Sequence, residues 1–179
     1  MAATKWNNDL NAGQDWMADL NLLNSAGTAN RDITGHTFES SVKRHWKSVE
    51  SKASVTILTI DAVEGNIRLK LSSAQTTLLK LGKYVYDVEI TAPPTLTVKE
   101  ATGTFIADEV ITGATSGATG TIITHSPLTK ITYNVTSGTF TGTEIINGTT
   151  FNAKLFSNDG QPIERVIEGV FTIRPEVTT

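Results

Sequence analysis

The sequence has no cysteine in its 179 residues, which excludes disulfide bridges and thiolate metal sites. Charged residues make up only 18% of the chain and the formal net charge is −3, so there is no basic field to attract nucleic acid. No apolar run reaches the roughly 18 residues of a membrane helix, and the first residues lack the apolar core of a signal peptide. We therefore expect a soluble protein made in a cytoplasm, with neither nucleic acid nor a membrane as a partner.

Residues that could carry chemistry are also few. His36, His45 and His125 lie in unrelated segments, and none has a second histidine at the spacing of a metal site. No Gly-x-Ser-x-Gly elbow occurs, and the glycine-rich stretch 113–117 lacks the Gly-Lys-Ser/Thr ending of a phosphate-binding loop. We expect no enzymatic activity, and we predict no catalytic residue, no cofactor and no metal.

Threonine, serine, asparagine and glycine are abundant instead, and this composition is typical of an all-β protein with many turns. The prediction of secondary structure starts from the stretch 67–91. Apolar and basic residues alternate over 67–71, as in a half-buried strand, and 84–90 alternates in the same way. Between them, 73–79 predicts one short helical turn. We expect a common core made of Leu69, Leu71, Tyr84, Tyr86, Val88, Phe171 and Ile173.

A duplication is visible in the Thr/Gly-rich stretch that follows Pro93 and Pro94. The residues Gly-Thr-Phe at 103–105 recur at 138–140, and the Glu, apolar and Gly positions of 109–113 recur at 144–148, always 35 residues later. The two copies predict a small β module at 93–153, with Phe105 and Phe140 in its core. Its loop at 113–120 is predicted to be an exposed tip, whose candidate contact residues are Thr115, Ser116 and Thr119.

Five segments outside this module resemble one known family. They are DITG at 32–35, LSSAQTTLL at 71–79, GKYVYDVE at 82–89, DG at 159–160 and PEVT at 175–178. Together they resemble the N-terminal immunoglobulin-like domain of baseplate upper proteins of tailed bacteriophages. The inserted Thr/Gly-rich stretch is similar to modules in structural proteins of marine phages.

The resemblance implies an all-β fold in which residues 1–92 and 154–179 form a discontinuous immunoglobulin-like β-sandwich. The seven or so short alternating strands with turns between them agree with this fold. The implied function is that of a non-enzymatic virion component, most simply a tail or baseplate adaptor. Such a component sits in the virion in several copies and docks other virion proteins. The candidate docking residues are Trp6, Arg174, Glu176 and Val177.

Two other functions stay open from the sequence. One is decoration of the capsid, and the other is binding of a carbohydrate or receptor through the inserted module. An exposed aromatic platform on the insert favours the binding module. Contacts confined to strand edges and chain ends favour the structural adaptor.

Overall fold

The computed structural model describes residues 3–126 and 129–175. The expectation of an all-β chain is confirmed, since 56% of the residues are in strands and 4% are in helix. The elements in chain order are β1 (Thr4–Lys5), β2 (Asn8–Asn11), β3 (Trp16–Asn21), β4 (Thr37–Lys43), β5 (Thr56–Asp61), β6 (Asn66–Leu71), α1 (Ser73–Leu78), β7 (Gly82–Thr91), β8 (Thr95–Gly103), β9 (Val110–Gly113), β10 (Thr119–Ser126), β11 (Lys130–Ser137), β12 (Ile145–Asn147), β13 (Phe151–Asn158) and β14 (Ile163–Arg174).

The chain divides into two compact units. The first, called here the two-sheet unit, contains the described residues up to Ile90 and from Ile163 onward. One of its sheets has the order β1-β14-β7-β4, with β2 also paired to β14, and the other has the order β3-β6-β5. The strands of the second sheet are antiparallel, whereas β1 and β2 both run parallel to β14.

The core of the two-sheet unit follows the period of two that is read in the sequence. Alternate residues of β6 and β7 are buried, because successive side chains of a strand point to opposite faces. The Tyr86 and Phe171 rings stack with their centroids 4.0 Å apart, and the Trp16 ring packs edge-on against Phe171 at 5.1 Å. All seven predicted core residues are buried in one cluster, so that prediction is confirmed.

The predicted helical turn is confirmed as α1, with a capping box that explains where it starts. The Gln75 amide donates to Ser72 Oγ at 3.3 Å, and the Ser72 amide donates to Gln75 Oε1 at 2.9 Å. These two bonds satisfy amides that have no partner within the helix. Thr76 is fully buried, and its hydroxyl donates to the Gln14 carbonyl at 2.8 Å.

The second unit, called here the barrel unit, is Thr91–Pro162. Its six strands close in the order β10-β11-β8-β13-β12-β9, and every neighbouring pair is antiparallel. Inward-facing residues of each strand fill the interior, and Phe105 and Phe140 are both buried there as predicted. Each of the six strands is paired with two neighbours, although β8 and β11 pair only over Thr95–Thr97 and Lys130–Thr132.

The predicted boundary at residue 154 is wrong. The strand β13 crosses it, and the inward alternation of Phe151, Ala153 and Leu155 belongs to the barrel core. The unit ends near Pro162, whose carbonyl accepts a bond from the Ala92 amide at 3.0 Å. The sequence suggested a boundary at residue 154 because the Thr/Gly-rich composition ends there. That composition reflects outward-facing residues, and these do not determine strand pairing.

Replacing Phe171 by alanine tests the core of the two-sheet unit. The substitution removes a fully buried ring from its contacts with Tyr86 and Trp16, so we expect a loss of about 3–5 kcal/mol in the free energy of unfolding. All three tryptophans lie in this unit, so their fluorescence during denaturant unfolding reports on it alone. Leu58→Ala is the control, because Leu58 is 46% exposed. Equal midpoints for the two variants contradict the assignment of the core.

Candidate functional site

The N-terminal arm, residues 4–11, covers one edge of β14. It pairs in parallel with a single register, from Thr4 opposite Ile167 to Asn11 opposite Arg174. Between β1 and β2 the Trp6 amide donates to the Glu168 carbonyl at 2.9 Å. The sequence predicts an edge strand or an arm in this region, and the structure confirms the edge pairing.

Trp6, a predicted docking residue, anchors this arm from the inside. Its half-buried ring lies 5.7 Å from the Trp16 ring, and its carbonyl accepts a bond from the Tyr86 hydroxyl at 2.8 Å. A Cβ at residue 169 would collide with the Trp6 carbonyl, so glycine is required at that position. The packed ring offers only part of its surface to a partner.

Arg174, the second predicted docking residue, is exposed at the end of β14. Its guanidinium forms an ion pair with the Asp9 carboxylate at 2.5 Å, and both side chains are more than half exposed. The structure therefore brings Trp6 and Arg174 onto the same arm and β14 ladder. Glu176 and Val177 lie outside the described residues.

Burial raises the pKa of Tyr86 to about 12, although the neighbouring Asn8 side chain opposes the shift. The raised pKa means that the folded state keeps the phenolic proton at a pH where the unfolded chain has already lost it. The contribution of Tyr86 to stability is therefore constant below about pH 10 and falls as the pH rises toward about 12.

The predicted tip loop is held by hydrogen bonds to the Glu144 carboxylate. This carboxylate is only 6% exposed, and it accepts bonds from the amides of Ser116 at 2.9 Å and Thr141 at 2.7 Å. The Ser116 hydroxyl also donates to it at 2.9 Å, so this side chain is engaged. Thr115 is exposed, as predicted for a tip, although its amide is bonded to the same carboxylate at 3.1 Å. Thr119 is half-buried in β10, so it is not part of an exposed tip.

Burial acts to raise the pKa of Glu144, but hydrogen bonds from Ser116, Thr141 and Thr115 outweigh it and hold the pKa below its usual 4.5. A lowered pKa stabilises the fold at pH values above 4.5, and this stabilisation disappears as the pH falls through the folded-state pKa. The sequence pattern aligned Glu144 with Glu109 but did not reveal that either carboxylate bonds to a loop.

A cluster of lysines on the barrel was not found from the sequence. Lys99 of β8 lies directly opposite Lys154 of β13, and Lys130 of β11 lies opposite Thr97 of β8. Phe156 of β13 is 63% exposed, and the Lys99 ammonium group lies 4.9 Å from the centre of its ring. Inward and outward alternation alone places each lysine outside, but their proximity depends on the order of strands around the barrel.

His36 and His125 each contact a residue of their own unit. The His36 Nδ1 atom lies 3.2 Å from the Thr34 carbonyl, and the His125 ring packs edge-on to Phe105 at 5.9 Å. Residues 3–126 and 129–175 contain no group of three or more side chains placed to bind a metal. The described chain also contains no helix that is long and apolar enough to cross a membrane.

One cleft of the two-sheet unit, beside β3 and β14, has a volume of about 500 Å³. Arg31 and Glu164 form an ion pair there at 2.8 Å. The other lining is mainly apolar, including Leu20, Leu22 and Val166.

Tyr86→Phe tests the bond that holds the arm. Removal of one buried hydroxyl donor should cost about 1 kcal/mol and speed hydrogen exchange of the Trp6 amide. In an ultraviolet titration, the substitution should also remove the tyrosine that ionises near pH 12. Tyr84→Phe, two residues earlier in the same strand, is the control. Unchanged exchange at Trp6 in the Tyr86 variant would show that the hydroxyl does not hold the arm.

Glu144→Gln tests the anchor of the tip loop. Weakening its charge-assisted bonds should lower the stability of the barrel unit by about 1–3 kcal/mol, measured by hydrogen exchange at Thr115 and Ser116. The difference from the wild type should shrink as the pH falls below 4.5, because the native carboxyl is then protonated. Glu109→Gln, at the aligned but more exposed position, should cost less. A pH-independent difference rules out the charge as the cause.

No family model matches the chain, and a search of curated proteins finds no match. The function is therefore inferred from the residues themselves. Three features have the most specific geometry. They are the arm along β14, the hydrogen bonds of Glu144 and the lysines on the barrel.

Proposed function

We propose that the chain is a non-enzymatic structural component of a tailed-phage virion, in which the two-sheet unit acts as an immunoglobulin-like adaptor. The observation that supports the fold is the strand order. An immunoglobulin sandwich pairs strands B, E and D in one sheet and C, F and G in the other. In chain order, β3, β4, β5, β6, β7 and β14 take these places as B, C, D, E, F and G.

Two of the segments that resemble baseplate upper proteins fall on elements of this sandwich. LSSAQTTLL at 71–79 spans α1, and GKYVYDVE at 82–89 lies in β7. Fold alone does not imply function, so the phage assignment depends on this resemblance together with the strand order. On this account the barrel unit is an insertion between the last two strands of the sandwich.

The barrel unit is proposed to be a duplication of three strands. Shifting the chain by 35 residues places β8 on β11 and β9 on β12. Two cross-strand pairs, Leu96 with Ile131 and Thr112 with Asn147, join positions that are themselves 35 residues apart. A two-fold axis through both pairs accounts for this register, because each copy then pairs with its equivalent.

The carboxylates of the two copies support the same axis. Glu144 accepts a bond from the Thr115 amide at 3.1 Å, and Glu109 accepts one from the Thr150 amide at 2.7 Å. Both acceptors and both donors are 35 residues apart, so each copy holds the loop of the other. A β-carbon at either Gly113 or Gly148 would contact the carboxylate of the opposite copy.

A second candidate function is supported by the exposed ring of Phe156. The ring lies on the inserted unit and is 63% exposed, as expected of a module that binds a carbohydrate or receptor. An adaptor in the virion and a binding surface on its insertion are compatible, since they use different units of the chain.

Replacing residues 92–162 by a short Gly-Ser link tests which unit attaches to the virion. The Ala92 amide and the Pro162 carbonyl are 3.0 Å apart, so a short link closes the gap at little entropic cost. We expect the shortened chain to fold, with the tryptophan fluorescence of the two-sheet unit retained, and to enter particles. Phe171→Ala in the full chain is the control for damage to the two-sheet unit. A shortened chain that folds but does not enter particles would assign attachment to the barrel.

A further inference from the structure

The outward surface of β11, β8 and β13 gathers the basic charge of the barrel unit. Between residues 91 and 162 there are three lysines, Lys99, Lys130 and Lys154, and no arginine. All three project outward from these neighbouring strands: Lys99 and Lys130 are exposed, and Lys154 is half-buried between the inward-facing Ala153 and Leu155. We call this surface, with Phe156, the lysine face.

The register brings the three ammonium groups within reach of one ligand. Lys99 and Lys154 are direct cross-strand partners, which places their Cβ atoms about 5 Å apart. Lys130 is opposite Thr97, two residues before Lys99, so strand spacing puts Lys130 about 8 Å from Lys99. Anionic groups at intervals of this size along a chain would meet two or three lysines together.

Within the described residues none of the three lysines has a carboxylate at ion-pair distance. Glu100 follows Lys99 at a bulge with a φ of 53°, and Asp159 accepts a bond from the Ser157 hydroxyl at 3.2 Å. Like charges directly opposite each other destabilise a sheet, so the pair of Lys99 and Lys154 is unfavourable without a bound anion.

Phe156 adds an apolar contact to this charge. A shift in register between Leu155 and Ser157 interrupts the ladder at Phe156, and 63% of the residue is exposed. The half-buried hydroxyl residues Ser157 and Thr97 lie next to it, since Ser157 follows Phe156 and is paired with Thr97, and Thr132 lies farther along the face on β11. Because β11, β8 and β13 are hydrogen-bonded to one another, we expect a partner on this face to be recognised through side chains.

We propose that the lysine face binds an acidic polysaccharide. Its carboxylates lie between the lysines, a sugar ring packs on Phe156, and sugar hydroxyls bond to the threonine and serine side chains. Single-stranded nucleic acid fits less well, because such sites stack successive bases on several aromatic rings and this face has one. The inference is independent of the virion proposal, since it depends on the barrel unit alone.

Binding of the full chain to polygalacturonate, a polymer of uronic acid, tests the proposal by calorimetric titration. Neutral dextran, oligothymidylate and polyglutamate are the comparison ligands. We expect binding to polygalacturonate alone or most tightly, and we expect added salt to weaken it. Lys99→Ala combined with Lys154→Ala should weaken binding about tenfold or more, as should Phe156→Ala. Arginine at both lysine positions should retain binding.

Matched controls separate this face from general charge. Lys80→Ala removes an exposed lysine from the two-sheet unit, and Val135→Ala trims a residue of β11 that is 49% exposed; neither should change binding. Lys154→Glu should raise the unfolding midpoint of the barrel unit, because an attractive pair replaces a repulsive one, and yet abolish binding. The proposal is overturned by absence of binding, by equal affinity in the double alanine variant, or by tighter binding of oligothymidylate or polyglutamate.

Discussion

The stacked contact between Tyr86 and Phe171 is the interaction on which the two-sheet unit depends. It joins β7 to β14, the two strands between which the barrel segment is inserted in the chain. The Tyr86 hydroxyl also donates to the carbonyl of Trp6, and the Trp16 ring of the other sheet packs edge-on against Phe171. A shift of one residue in either strand would move these rings to the outer face, so one register is strongly favoured.

Local periodicity predicted the parts of the fold that depend on local pattern. The alternation at 67–71 and 84–90 identified the buried faces, and the residues at 73–79 indicated the short helical turn. Long-range pairing was not predictable in this way. The parallel arm needs a glycine at residue 169 to admit the Trp6 carbonyl, and the end of the barrel near Pro162 depends on which strand β13 joins. The candidate site divides similarly. The docking role of Trp6 and Arg174 stays a prediction from the sequence, whereas the lysine face became visible only in the fold.

The loop 113–117 and the lysine face of the barrel unit differ in how many contacts their polar groups make within the fold. At the loop 113–117, Glu144 holds amides and a hydroxyl, so the loop that composition favoured as a contact tip is rigidly bonded. On the lysine face, Lys99 and Lys154 stand opposite each other at a cost in stability. Polar groups that hydrogen-bond to each other, as at Glu144, account for the structure of the loop. Charged groups without an ion-pair partner among the described residues, as on the lysine face, indicate a ligand.

An adaptor that carries a binding surface on an inserted barrel is the function we propose for the whole chain. In that role the two-sheet unit docks other virion proteins through the sheet edge formed by the arm and β14. The barrel unit provides lysines that have no ion-pair partner among the residues described in its fold. The most direct measurement is quantitative mass spectrometry of purified particles from host cells that produce this chain. The account predicts the chain in several copies per particle, at a constant ratio to the other virion proteins. Its presence in the cell lysate but not in the particles would contradict the account.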